Sequence, residues 1–182
     1  MRIALLAVFS SAFALVAATD QPARPSPPFT IQRTGAPQLP LSRYRGKIVA
    51  LAFIHTTCPH CQDLTKTLNP IAREYSPKGV QFLECAFNVN AGALVPDFIK
   101  QFEPSFPVGW ADSAAVQAYL QYTVLDNRPF YVPHMVFLDR RGIIRGDFPG
   151  ESNFFQNPDV NIRAELDKIL KAGGAPAAGR KK

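Results

Sequence analysis

Cysteine is scarce in this 182-residue chain: there are three, with three histidines, two methionines and one tryptophan. A zinc site built on the close pair Cys58 and Cys61 would need two further ligands at suitable spacing, and none stands there. Basic residues form no stripe interleaved with aromatics, so no nucleic-acid partner is expected. Lys and Arg outnumber Asp and Glu by 20 to 14, but Arg180, Lys181 and Lys182 stand together at the end, and the rest is near neutral. Beyond the opening residues no apolar run is long enough to cross a membrane. No internal repeat is found.

What is present is 47% hydrophobic, enough for one domain with a sizeable core and too little for two. The opening MRIALLAVFSSAFALVAA joins a basic residue, an apolar run and small residues, which is the layout of a secretory signal peptide over 1–18, cleaved near Ala18. A retained anchor is the competing reading, although the run falls short of the ~20 residues a span needs. Export to a periplasmic or other extracytoplasmic compartment leaves a close cysteine pair two roles, structural disulfide or redox couple. Residues 19–37 read as a Pro-rich linker and N-terminal extension, 38–172 as the domain, and 173–182 as a disordered basic tail.

Within the domain, an apolar strand from Ile48 to about His55 has few polar residues, as expected when both its faces are covered. Cys58 then stands at a helix start with Pro59 at the first helical position, where a missing N–H costs nothing. Leu64, Leu68, Ile71, Ala72 and Tyr75 continue at helical spacing. Pro70 predicts a kink, or a break at which Asn69 caps a second helix. Further strands are expected over Val80–Val89 and Phe106–Ala111, and helices over Val95–Phe102 and Ser113–Tyr122. A hairpin of His134–Asp139 and Ile143–Phe148 turns through Arg140-Arg141-Gly142, and a last helix covers Asn161–Lys171. The alternation of strand and helix argues for an α/β sheet with parallel crossovers.

The chemistry centres on the two cysteines. At positions i and i+3 of a helix start they are close enough to form a small disulfide, and Cys58 faces the unpaired N–H groups and the positive end of the helix dipole. Such placement lowers a thiol's pKa, which makes Cys58 the nucleophile and Cys61 the resolving thiol. His60 lies between them, able to add a positive charge or a hydrogen bond. A purely structural bridge is disfavoured because so small a loop constrains the unfolded chain little. Glu84, inside an apolar strand, would have a raised pKa and is a candidate acceptor for the proton of Cys61. Cys85 reads as a small buried hydrophobe, Trp110 as core, His55 as a structural residue bordering the site, His134 as a polar residue expected to face Cys58, and Phe130 and Tyr131 as candidate groove aromatics.

A strand ending in TTCPHC, a crossover α/β unit, and VPHMVFLDRRGII ahead of a hairpin resemble the thioredoxin-like superfamily. The pattern is most similar to its extracytoplasmic TlpA- and ResA-type branch, often labelled redoxin or AhpC/TSA domains. The resemblance covers roughly residues 38–172. It implies a thioredoxin-like fold, a central mixed β-sheet flanked by helices with a C-terminal β-hairpin and helix. It also implies that Pro133 is a cis-proline facing the cysteines, which would leave the backbone of Val132 free to pair with an extended substrate. Pro59 and His60 match the dipeptide of DsbA-type oxidases, whereas the surrounding pattern is that of reductases. Ala52 stands where cytoplasmic thioredoxins carry a buried Asp.

The expected activity is therefore thiol:disulfide exchange with exported proteins, with reduction slightly favoured over oxidation. It would need no cofactor beyond the redox-active pair Cys58–Cys61. The partners would be exported protein thiols or disulfides and a membrane thiol:disulfide carrier, and the chain itself would be a monomer. The alternative is a copper-delivery module of the SCO type, holding the ion with the cysteines and a histidine such as His134. That family usually spaces its cysteines by three residues rather than two. A peroxidase of the peroxiredoxin type ranks last, because Leu51 and His55 occupy the places where its Pro and Thr would stand.

Overall fold

The computed structural model describes residues 23–123 and 129–173. The expected signal peptide and almost all of the expected tail lie outside the described residues. In chain order the strands are β1 (Arg24–Pro25), β2 (Thr30–Ile31), β3 (Leu39–Pro40), β4 (Ile48–Ile54), β5 (Val80–Ala86), β6 (Val108–Trp110), β7 (His134–Leu138) and β8 (Ile143–Phe148). Six of them form one sheet in the order β1-β8-β7-β4-β5-β6. Strands β4, β5 and β6 run parallel, and β7 and β8 join antiparallel. The mixed α/β sheet expected from the sequence is the one observed.

Strand β4 is the hub. All seven of its residues are buried, which is why its sequence IVALAFI does not alternate. Among the described residues four α-helices flank the sheet: α1 (Pro59–Tyr75), α2 (Ala91–Phe102), α3 (Ser113–Tyr119) and α4 (Pro158–Gly173). The even-numbered side chains of β4 join a core with α1, α2 and α4. The odd-numbered ones pack beneath α3 and the N-terminal segment. Two layers on one sheet cover both faces, as crossover connections require.

Residues 23–37 contribute more than a lead-in. Strand β1 extends the sheet alongside β8, while β2 pairs with β3 in a separate two-stranded ribbon. Phe29 and Ile31 are buried in the α3-side core. Gln32 exchanges two backbone hydrogen bonds with Trp110, at 2.8 and 2.9 Å, and so covers the open edge of β6. Gly109 makes that crossing possible, since a Cβ there would collide with the Gln32 carbonyl.

Several boundaries differ from the sequence reading; β6 is shorter than expected, at Val108–Trp110, and α4 is longer, starting at Pro158 rather than Asn161. Strand β5 ends at Ala86, because Asn88 turns its side chain toward the loop after β4. Helix α2 starts at Ala91, four residues ahead of the expected Val95, and α3 stops at Tyr119. Helix α1 runs unbroken through Pro70. Asn69 does not cap a second helix; its amide instead bonds the carbonyls of Phe102 and Glu103, and its oxygen accepts from the Ser105 N–H. Pro70 is exposed, so the ring projects outward and the one lost backbone bond faces solvent.

Candidate active site

The end of β4 and the start of α1 place the two thiols. Cys58 is the N-cap residue in extended conformation (φ −83°, ψ 121°), followed by Pro59 at the first helical position. Its carbonyl accepts the Gln62 N–H at 3.0 Å, opening the helix, while its own side chain makes no capping bond and is half-buried. Cys61, one turn on, is fully buried, and its sulfur accepts the His55 N–H at 3.4 Å. Burial pushes the Cys61 thiol well above its ordinary value; the His55 N–H counters this, and Cys58 and Glu84 add to the rise. Both cysteines are free thiols, as is the buried Cys85 on the other face of β5. Burial alone raises the Cys85 thiol.

Glu84 lies on the same sheet face as Cys61, fully buried. Its register partner in β4 is Ala52, the position the sequence reading found without a carboxylate, so the acid sits one strand over. Burial raises its pKa from an ordinary 4.5 to about 8, against a smaller lowering by Thr65. Thr65 Oγ1 is 2.9 Å from Glu84 Oε1 and 3.1 Å from the Cys61 carbonyl oxygen. Its single proton satisfies one of those acceptors, and a protonated Glu84 supplies the other bond. Glu84 Oε2 has no partner among the described residues, which a charged carboxylate in this position would tolerate poorly.

The Val132–Pro133 peptide is cis. Pro133 is buried, Val132 is half-buried against both cores, and Val132 makes no backbone hydrogen bond among the described residues. A groove of about 360 Å³ brings this dipeptide together with His60, Asp63 and Glu151. Gly150 lets the loop after β8 pass over Tyr131, because a Cβ there would lie 2.7 Å from the Tyr131 backbone. His60 and Pro59 are both exposed, and His60 lines this groove. Tyr131 is half-exposed, while Phe130 is tucked against the rings of Phe87, Tyr122 and His134. His55 packs its ring edge-on against Phe87 at 4.5 Å.

His134 is placed away from the thiols, and this corrects the expectation that it faces Cys58. Met135 and Phe137 of β7 belong to the core that holds Cys61, so the strand's two-residue period sends His134 to the opposite face. There its Nε2 meets Asp147 Oδ1 at 2.6 Å, and Arg24 Nη2 donates to Asp147 Oδ2 at 2.9 Å. Burial raises the Asp147 carboxyl, but His134 and then Arg24 outweigh it and hold the group below the usual carboxylate range. The copper-delivery alternative draws no support from this geometry: its histidine is engaged elsewhere, and no three His, Cys, Asp or Glu side chains converge among the described residues. His134→Ala is expected to destabilise the fold by about 1–3 kcal/mol, the cost of a buried partner lost, while leaving thiol exchange within about threefold of the parent. Thermal unfolding and exchange kinetics on one preparation check this. A folded variant that exchanged a hundredfold more slowly would contradict the placement.

Sequence reasoning missed the side chains that hold the loop before Cys58. Asn88 Oδ1 accepts the Thr56 N–H at 2.9 Å, Asn88 Nδ2 donates to Thr56 Oγ1 at 3.1 Å, and Gln62 Nε2 donates to the Thr56 carbonyl at 2.9 Å. Thr65 was also overlooked. Its signal is the spacing of four from Cys61, which puts it on the same helix face. Nothing local marks Asn88, whose partner is 32 residues away.

The fold and the paired thiols together define the thioredoxin-like class of thiol-disulfide oxidoreductases. Within that class, the AhpC/TSA family pattern matches residues 22–146, and the chain belongs to this family. It is 23% identical over 146 residues to the thiol-disulfide oxidoreductase ResA of Bacillus thuringiensis subsp. konkukian, covering 80% of this chain and 75% of that protein. A thioredoxin-family thiol:disulfide interchange protein from Chlorobium tepidum TLS superposes with a TM-score of 0.64 at 20% identity, covering 81% of this chain and 99% of the other. A thiol:disulfide interchange protein from Bacteroides sp. gives 0.66 at 16% identity, covering 90% and 97%.

Proposed function

We propose that this chain is an exported thiol:disulfide oxidoreductase that reduces disulfides of exported proteins through Cys58 and Cys61. The observation that carries thiol exchange is the asymmetry of the pair: Cys58 is half-exposed at a helix start, and Cys61 is buried beside a carboxyl group, while the reductive direction rests on the resemblance of the surrounding pattern to reductases. In the reductive direction the Cys58 thiolate attacks one sulfur of a substrate disulfide and expels the other as a thiolate. Cys61 then gives its proton to ionised Glu84 and attacks the Cys58 sulfur. The pair ends as a disulfide, the substrate has gained two electrons, and its second sulfur leaves as a thiolate that takes a proton from water. The free Val132 backbone and the adjoining groove would hold an extended substrate segment across the pair. A membrane thiol carrier would return the chain to its dithiol form.

Direction is tested by the reduction potential of the Cys58/Cys61 pair, equilibrated in glutathione and dithiothreitol buffers. The reductase reading expects a value below about −200 mV. A value near −120 mV, roughly that of a strong periplasmic oxidant, would reverse the assignment and give Pro59-His60 its oxidase meaning.

A further inference from the structure

Outside Arg180, Lys181 and Lys182 the chain carries 17 basic against 14 acidic residues, and that modest excess conceals a segregation of charge. Strands β4, β5 and β8 begin, and β7 ends, at the end of the sheet remote from the thiols, as the register pairs Ile48 with Val80 and Leu138 with Ile144. The connections at that end carry Arg43, Arg45, Lys47, Arg140 and Arg141. They are brought together there: the Gly46 N–H donates to the Arg140 carbonyl at 2.8 Å, and Arg45 donates to the Arg141 carbonyl. Helix α4 ends on the same pole, where Arg140 Nη1 lies 2.6 Å from the place a Gly173 Cβ would take. The one carboxylate in these connections, Asp139, is committed to two backbone N–H groups and to Arg145. None of Arg43, Arg45, Lys47 and Arg140 makes an ion pair among the described residues, and Arg141 reaches Asp139 only at 3.8 Å with its side chain 76% exposed.

We propose that this pole is a docking surface for the anionic headgroups of a lipid bilayer. Several unpaired cations on short, adjoining loops suit a flat, laterally continuous anionic surface, to which each exposed Lys or Arg adds attraction within a Debye length. A nucleic acid would be expected to meet interleaved aromatics, and these connections offer only the half-buried Tyr44. Because the pole lies at the opposite end of the sheet from Cys58, docking leaves the thiols facing away from the membrane and open to substrates. The inference takes from the proposed function only that the chain meets a bilayer. Its binding result stands or falls whatever the thiols do.

The test uses the full chain and a triple variant, Arg43→Glu, Lys47→Glu and Arg141→Glu, three exposed positions outside the thiol machinery. Disulfide exchange and circular dichroism serve as the check that it folds. Both are sedimented with vesicles of phosphatidylcholine alone and with vesicles that also contain phosphatidylglycerol. The apolar N-terminal run is common to both proteins, so the difference between them reads the pole. The parent is expected to partition onto the anionic vesicles at least about tenfold better than the variant, with the advantage lost in molar salt. Hydrogen exchange on the vesicles should slow at 43–47 and 139–142 and remain unchanged at 56–60. Equal binding by parent and variant, or protection at the thiol end, overturns the proposal. So does a DNA duplex that competes the chain off the vesicles and binds it more tightly at the same salt.

Discussion

Cys58→Ser is expected to abolish disulfide exchange, lowering insulin reduction by on the order of a thousandfold or more, to the uncatalysed background. The fold should be unaffected, since the Cys58 side chain makes no capping bond and is only half-buried. Cys61→Ser should behave differently. Its Cys58 still attacks, but no second thiol can release the substrate, so covalent mixed disulfides accumulate and are seen on non-reducing gels. A serine hydroxyl in that position keeps the His55 N–H as donor, which limits the structural cost. Cys85→Ala is the control: the thiol is buried on the far face and its pKa is raised by burial, so exchange should continue at the parent rate. Trapping by Cys58 in the absence of Cys61, and none in the reverse arrangement, is the outcome that fixes the roles. A Cys58→Ser protein that still turned over insulin would overturn them.

How much of this was legible beforehand depends on whether the signal was local. The junction from β4 to α1 was, because a helix start with proline in the first turn and cysteines at i and i+3 is written in six consecutive residues. The hairpin of β7 and β8 was as well, through its Arg-Arg-Gly turn. The face taken by His134 was not. HMVFL is buried on both sides, so its sequence has no alternation to reveal which residues point toward α1, and only the register with β4 decides. The continuity of α1 through Pro70 escaped for a related reason: propensity forecasts the loss of one bond, but a buried face running from Cys61 to Tyr75 outweighs it. The short strands β1, β2 and β3 have two residues each, below the length at which a period can be read. Glu84 stood in between. An acid in an apolar strand was a visible anomaly, while its proximity to Cys61 and its bond to Thr65 needed the fold.

Glu84→Gln should change both the pH profile of exchange and the stability curve, and the two effects have separate causes. With a pKa raised to about 8, the carboxyl is mostly protonated at neutral pH and becomes a proton acceptor as pH rises through that value. Resolution of a mixed disulfide, followed by stopped-flow after forming it on Cys58, should therefore accelerate with a midpoint about pH 8 in the parent. Glutamine cannot accept the proton, so the variant should lose that limb and resolve on the order of a hundredfold more slowly at about pH 8. Thr65→Val supplies a graded test, because the Thr65 hydrogen bond lowers the Glu84 pKa and its removal should move the midpoint upward. The sign of the stability effect is opposite. Between pH 4.5, where Glu84 would ionise in the unfolded chain, and about 8, the folded chain holds a proton that the unfolded chain has released. Stability conferred by the neutral acid is complete below that window and is lost across it, at up to about 1.4 kcal/mol per pH unit. A glutamine side chain has no such dependence, so the variant should match the parent near pH 4.5 and become progressively more stable than it toward about pH 8. A slower, more stable variant at alkaline pH is the signature of a buried acid kept for proton transfer at the expense of the fold. Equal resolution rates across the pH range would leave Glu84 a structural residue and Cys61 in need of another base.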